Sequence, residues 1–229
     1  MLSSTEIIQL LESFGITVAA FFISWALGLI FSLGALALEK ESSSRIIQFF
    51  NNLLSHIGTG IPHLVLILLA FYGTQILIQK LFSLLGLTAR IDIPPLLLGA
   101  IVLGFFFAAY FYKVIKEQLD NLPRDQLMAT EAFALPILIR WKHILGPQIL
   151  LRSLGYQSNL TIGLLKETSL LSLITVNEIF RRTELIASRK QEYFLFYGVL
   201  ILIYALCSKV VESYFHRLES KSSFFWRQE

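Results

Sequence analysis

Four consecutive residues, Lys166-Glu167-Thr168-Ser169, place two opposite charges and two hydroxyls inside an otherwise hydrophobic region. A charge at mid-membrane costs at least about 2.5–3.5 kcal/mol on insertion scales, so such groups pair, line water or sit where a helix is interrupted. Gly163 and the Thr168 and Ser169 hydroxyls permit an interruption, because short polar side chains satisfy the backbone groups that a break frees. Lys166 suits a carboxylate and Glu167 an ammonium. Neighbouring residues point in different directions on a helix, so both line one small pocket only if the backbone unwinds. The expectation is therefore a Lys166–Glu167 pair that organises an interface or gate.

The remaining chemistry-bearing residues say less. His56 and His63 flank a Gly58-Thr59-Gly60-Ile61-Pro62 segment, and His143 lies in a polar loop. None forms a His-Glu-x-x-His pair or has a second ligand at metal spacing, so no metal site is expected. No nucleophile elbow or phosphate-cradling glycine loop is present, so this chain is not expected to hydrolyse ATP. Cys207 is the single cysteine, which rules out an internal disulfide. An intramembrane enzyme or small channel built on Lys166, Glu167 and His63 stays open at this level.

The elements that must position these residues follow from hydropathy. The chain is 55% hydrophobic and 15% charged, with mean hydropathy +0.66, whereas soluble domains carry about 25% charged residues. Stretches without Asp, Glu, Lys or Arg cover Ser13–Leu38, Ile46–Gln79, Ile93–Tyr112 and Tyr193–Ser208. A spanning helix needs about 20 apolar residues. The chain is thus expected to be an all-α membrane protein with about five spans, at 13–38, 58–79, 93–112, 154–178 (interrupted) and 193–214. Ser3 and Glu6 have capping-box spacing, which predicts a short separate helix over residues 3–14 on the membrane surface. The leader is acidic, unlike a cleaved signal. Residues 46–57 read as an amphipathic piece, and Gly60 with Pro62 breaks the helix before the second span.

Charge then orients the bundle. With the N-terminus outside and the C-terminus cytoplasmic, eleven Lys and Arg fall in cytoplasmic pieces and six outside, as the positive-inside rule favours. The net charge of +3 is explained this way and calls for no nucleic acid. Phe224-Phe225-Trp226 beside Arg227 suits an interfacial anchor or a frayed tail.

The cytoplasmic stretch 113–152 is too long for a simple connector, since most are about 4–6 residues. Asp125 can cap a first helical run that Pro136 limits, and a second run over 138–145 is expected to end at Gly146-Pro147. Exposed apolar residues there suit a partner protein, and a loop folded on its own helix ends suits them equally.

Here the sequence resembles a family. From Leu122, LPRDQLMATEAFALPILIRWKHILGPQILLR is similar, in register, to the cytoplasmic loop of bacterial importer permeases for polar amino acids. Pro123, Gln126, Ala129, Pro147 and Gln148 fall on matching positions. LLKETSLLSLITVNEIFRRTELIAS, from Leu164, resembles the family's leucine-leucine-lysine-aspartate-threonine-serine-leucine block, and Gly60, Pro62 and Phe71-Tyr72-Gly73 resemble the opening of its second span. The family's loop glutamate falls on Met128, its glycine on Ala134, its second alanine on Thr130, and the leucine before its proline on Gly146. A further glutamate falls on Lys113 and an arginine on Thr59.

The resemblance implies a type I ABC importer permease in the bacterial inner membrane, moving arginine, glutamine or histidine by alternating access. It implies that ATPase subunits dock on a coupling loop containing Pro123, Gln126, Leu127, Met128, Ala129, Ala134, Pro147 and Gln148. Lys166, Glu167, Thr168 and Ser169 would then line the path or gate. The implied partners are those ATPases, which use the ATP, a second permease chain, an extracytoplasmic amino-acid-binding protein and membrane lipid. The chain itself is expected to bind no cofactor. Met128 in place of the glutamate slightly favours a different second chain over an identical one.

Overall fold

A computed structural model of the chain describes residues 3–41, 45–86, 93–123, 125, 128, 130, 132, 133, 136 and 139–226. All regular structure among them is helical. The helices are α1 (Ser4–Glu41), α2 (Arg45–Gly60), α3 (His63–Leu84), α4 (Pro95–Asp120), α5 (Gly146–Arg152), α6 (Leu154–Glu167), α7 (Ile179–Lys190) and α8 (Tyr193–Trp226). A π-helical turn, Arg140–Leu145, leads into α5, and a 3-10 segment, Thr168–Ile174, follows α6. Among the described residues four helices are long and apolar enough to cross a membrane, over Ser4–Leu36, His63–Leu84, Pro95–Asp120 and Tyr193–Lys221.

The expected separate helix over residues 3–14 does not exist: α1 is one rod of 38 residues, about 57 Å long at 1.5 Å per residue. The capping box is present, with Ser3 N donating to Glu6 Oε2 (2.8 Å) and Glu6 N to Ser3 Oγ (3.3 Å). It starts the rod, and Gly15 alone is too weak a breaker, at about 1 kcal/mol, to end it. Contacts hold the early turns in place. Lys190 Nζ lies 2.9 Å from Glu6 Oε2, and Leu10 packs on Ile186, Ala187 and Phe196.

α4 is the centre of the bundle. Its most extensive partner is α1, and the crossing is made of small residues. A Cβ on Gly104 would lie 2.9 Å from Ser24 O and 3.0 Å from Leu27 Cβ, and one on Gly28 would lie 2.6 Å from Phe107 Cδ1. Small residues let helix backbones approach where apolar lipid offers no hydrophobic drive for association. Phe106, Phe107, Phe111 and Leu103 fill the core around this crossing. On the outside, Leu69, Leu77, Ile201, Leu202, Leu206 and Val210 are all at least 63% exposed, the surface of a protein solvated by lipid.

α2 carries the amphipathic pattern expected over residues 46–57 and extends it to Gly60. The helix break therefore falls at Ile61-Pro62, later than the expected Gly58–Pro62 stretch, and the second long helix begins at His63 rather than 58. Gly58 stays helical because its bare Cα packs on Ala109, where a Cβ would come within 2.5 Å of the alanine methyl. Gly146-Pro147 also fails to end a helix. Pro147 sits in the first turn of α5, where its missing N–H is not needed, and Gly146 lets the π turn close on Trp141 O.

Candidate functional site

The fourth apolar region is broken where its polar residues fall. α6 ends at Glu167, and the chain narrows into the 3-10 segment. Thr168 Oγ1 donates to Leu165 O (2.7 Å) and Ser169 Oγ to Lys166 O (2.8 Å), so the hydroxyls satisfy the carbonyls that the tighter winding frees. Thr175, with φ 68°, terminates the segment. Leu171 and Ile174 wedge it against α4 at Gly99, where a Cβ would stand 2.3 Å from Leu171 Cδ2. The break is thus held by packing as well as by hydrogen bonds.

Glu167 does not pair with Lys166. Its Oε1 accepts from Nδ1–H of His63, the first residue of α3, at 2.7 Å. The His63 ring stacks on Phe106 (centroids 4.1 Å apart, 19° between planes) and meets the Tyr110 ring edge-on at 5.8 Å. Lys166, about 100° away around α6, is exposed and makes no ion pair with Glu167. The expected Lys166–Glu167 pair is replaced by a His63–Glu167 pair that joins two helix ends. Together with Phe107, Tyr110, Asn159, Leu160, Gly163 and Leu164, these groups line a cavity of about 220 Å³. Its polar groups can hold a small molecule by an anion, an imidazole, an amide and a phenol.

Sequence reasoning passed over this pair because the partners are 104 residues apart. The usable signal was that a carboxylate in an apolar region needs a partner, and His63 sits at a break in another such region. A second carboxylate was also missed. Glu178 has no solvent exposure and caps α7, accepting from Phe180 N (2.8 Å) and Arg181 N (2.7 Å). Next to it Ile179 N donates to Thr17 Oγ1 of α1 (3.0 Å).

The residues of the expected coupling loop are only partly within reach. Gln126, Leu127, Ala129 and Ala134 lie outside the described residues. Pro123 and Pro147 are exposed. Gln148 is half-buried, with Oε1 shielded from solvent and unpartnered among the described residues. Met128 is 60% exposed, and Phe133 (77%) and Ile139 (46%) share that condition. Gly60 closes α2 and Pro62 caps α3 without a side-chain hydrogen bond. No group of His, Cys, Asp and Glu able to hold a metal ion occurs among the described residues.

No family model matches the chain. The histidine/lysine/arginine/ornithine transport system permease protein HisQ of Salmonella typhimurium is 32% identical over 164 residues, covering 72% of each chain. The octopine transport system permease protein OccQ of Rhizobium meliloti is 28% identical over 93% of this chain and 90% of its own. The arginine ABC transporter permease protein ArtQ of Escherichia coli is 27% identical over 93% of each. A crystal structure of an amino acid ABC transporter with histidines superposes with TM-score 0.71 at 22% identity, covering 94% of this chain and 93% of that one. An inward-facing structure of the methionine ABC transporter MetNI gives TM-score 0.66 at 12% identity, covering 96% and 99%. The two structures speak for the fold and the permease sequences for the family: the chain belongs to the permease subunits of polar amino acid ABC transporters, and it is a transport permease, not an enzyme.

Proposed function

We propose that the chain is one of two permease chains that carry a polar amino acid, such as arginine, histidine or glutamine, inward across the bacterial cytoplasmic membrane. A separate ATPase uses the ATP, a binding protein outside delivers substrate, and the pathway alternates between the two faces. The observation that carries this reading is the cavity at His63, Tyr110, Asn159 and Glu167, built beside a broken helix among apolar spans. Irregular backbone at membrane depth is tolerated where it lines a path or is buried in protein.

The topology goes with it. α1, α3, α4, the α6–3-10 stretch and α8 make five crossings within a single domain spanning residues 1–229, with the N-terminus outside and the C-terminus cytoplasmic. Residues 113–152 then form the cytoplasmic coupling loop, on which Pro123, Gln126, Leu127, Met128, Ala129, Ala134, Pro147 and Gln148 receive the ATPase. Lys166, Glu167, Thr168 and Ser169 form the gate. Exposed Met128, Phe133 and Ile139 support an apolar docking face. Met128 also supports a second permease chain of different sequence, because two copies of this one would offer an ATPase groove no carboxylate at that position.

Reconstitution tests the reading. Proteoliposomes holding this chain, its co-purifying ATPase and its binding protein should take up labelled arginine, histidine or glutamine only with ATP inside the compartment that the ATPase faces. Uptake without ATP, or no uptake of any of the three, would sink the proposal. Met128→Arg should abolish both uptake and ATPase co-purification while membrane insertion persists, since a buried cation is unmatched in an apolar groove, at several kcal/mol, and repelled in a groove built to meet a carboxylate. Intact co-purification would remove Met128 from the interface.

A further inference from the structure

At the C-terminal end of α4, away from the transport cavity, α2 and α4 enclose a polar recess of about 400 Å³. Its chemistry is mixed. Lys113, Glu117 and Asp120 follow one another at helical spacing on one face of α4, and Lys116 and His56 lie beside them. Lys116 is already matched, since its Nζ donates to Glu39 Oε1 at 2.9 Å. The Glu39 carboxyl would be raised by burial, but the Tyr112 hydroxyl and the Lys116 ammonium outweigh this and hold it below the usual carboxylate range. Lys113 donates to Thr59 Oγ1 and stays exposed. Glu117 and Asp120 have no ion-pair partner among the described residues. Among the described residues, the recess therefore presents one cation without a carboxylate partner next to two carboxylates without a cation.

Ser55 and Tyr112 line this recess and also a second, apolar crevice of about 810 Å³ between α1, α2, α3 and α4. Phe31, Leu38, Leu54, Leu66, Val102 and Phe105 form its walls. The volume falls in the range of about 300–1,000 Å³ typical of ligand pockets. α2, which roofs the junction, exposes Ile46, Phe49, Phe50, Leu53 and Leu54 on one face, as a helix lying in a membrane interface does. A polar, doubly charged recess that continues into an apolar crevice, at the level of an interfacial helix, matches a molecule with a charged head and a hydrocarbon tail.

We propose that recess and crevice together hold one glycerophospholipid whose headgroup joins a phosphodiester to a primary ammonium. The phosphate meets Lys113, the ammonium lies between Glu117 and Asp120, and an acyl chain enters the crevice. A purely anionic headgroup fits less well, because the two unmatched carboxylates outnumber the one unmatched lysine. The inference does not depend on which amino acid is transported, and its test involves no transport.

The full chain, purified in mild detergent, is offered equimolar dioleoyl phosphatidylethanolamine and dioleoyl phosphatidylglycerol, and retained lipid is counted by native mass spectrometry. One lipid per chain is expected, with phosphatidylethanolamine favoured about threefold to tenfold, the range that one or two half-exposed ion pairs supply. Glu117→Gln with Asp120→Asn should remove or reverse that preference, and both sites are exposed enough to leave folding intact. Gly34→Leu should lower retention of both lipids, because Gly34 lines the crevice and a Cβ there meets nothing within 4 Å. No retained lipid, equal retention of the two, or a preference unchanged in the carboxylate variant would overturn the proposal. Retention untouched by Gly34→Leu would do so as well, as would a crevice closed by a second copy of the chain in a lipid-free dimer.

Discussion

Gly104→Leu is expected to lower the yield of folded chain severalfold. A Cβ at that position already stands 2.9 Å from Ser24 O and 3.0 Å from Leu27 Cβ, and both neighbours belong to the backbone or its first side-chain atom. Neither can rotate away. α1 and α4 would have to separate along their whole crossing, which is the largest helix–helix contact among the described residues. Overpacking of this kind costs about 1–3 kcal/mol where side chains can yield, and more where backbone must move. Against a total stability of about 5–15 kcal/mol, such a loss shows directly as a fall in monodisperse protein on size-exclusion chromatography. Gly198→Leu on α8 is the control, because a Cβ there meets nothing within 4 Å. It should fold as well as the parent, and equal yields from the two variants would show that the α1–α4 crossing does not hold the bundle together.

His63→Leu is expected to be more damaging than Glu167→Leu, and the double change less damaging than His63→Leu alone. The carboxylate and imidazole are 29% and 18% exposed, so most of their solvation comes from one another. Removing the histidine strands a carboxylate among Phe106, Phe107 and Leu164, and stranding one member of a buried pair typically costs about 3–5 kcal/mol. Removing the glutamate strands only an imidazole able to become neutral, at about 1–3 kcal/mol. The double variant leaves two apolar groups of suitable size. Lys166→Met, at an exposed position outside the pair, should leave thermal stability in detergent unchanged. If melting temperatures fail to separate His63→Leu from the double variant, or if Lys166→Met matches either, the pairing has no energetic role.

The helices were legible in the sequence because charge is nearly absent from them. The runs 13–38 and 193–214 fall inside observed helices, and 93–112 does so except for Ile93 and Pro94, which precede α4; the errors lie at the ends. α4 continues to Asp120 and α8 to Trp226 because helices outlast their apolar portion where they leave the bilayer. The break before the second span was legible in Pro62, but its onset was placed early. Gly58 and Gly60 read as breakers by propensity, while Gly58 is helical through its close fit on Ala109. The same misreading put an end at Gly146-Pro147, where proline opens α5 instead. The site was half legible. An interruption at Thr168-Ser169 followed from composition, whereas the partner of Glu167 depended on which helix end folds back against it, a property of packing. Adjacency in sequence suggested Lys166, and helical geometry turns that side chain about 100° away.

The 3-10 segment has a consequence in length. Seven residues, Thr168–Ile174, rise about 14 Å at 2.0 Å each, and the same seven in an α-helix would rise about 10.5 Å. Rewinding the segment would draw α7 toward α6 by about 3.5 Å, exchanging its 3-10 hydrogen bonds for α-helical ones and moving Leu171 and Ile174 off Gly99. Spin labels at Tyr156 and Ser188 would read that shortening, and a distance distribution unchanged through the ATP cycle would show the segment to be static. In the five-crossing topology proposed above, the interruption gives the fourth crossing two lengths to choose between, and the His63–Glu167 pair lies at its α6 end.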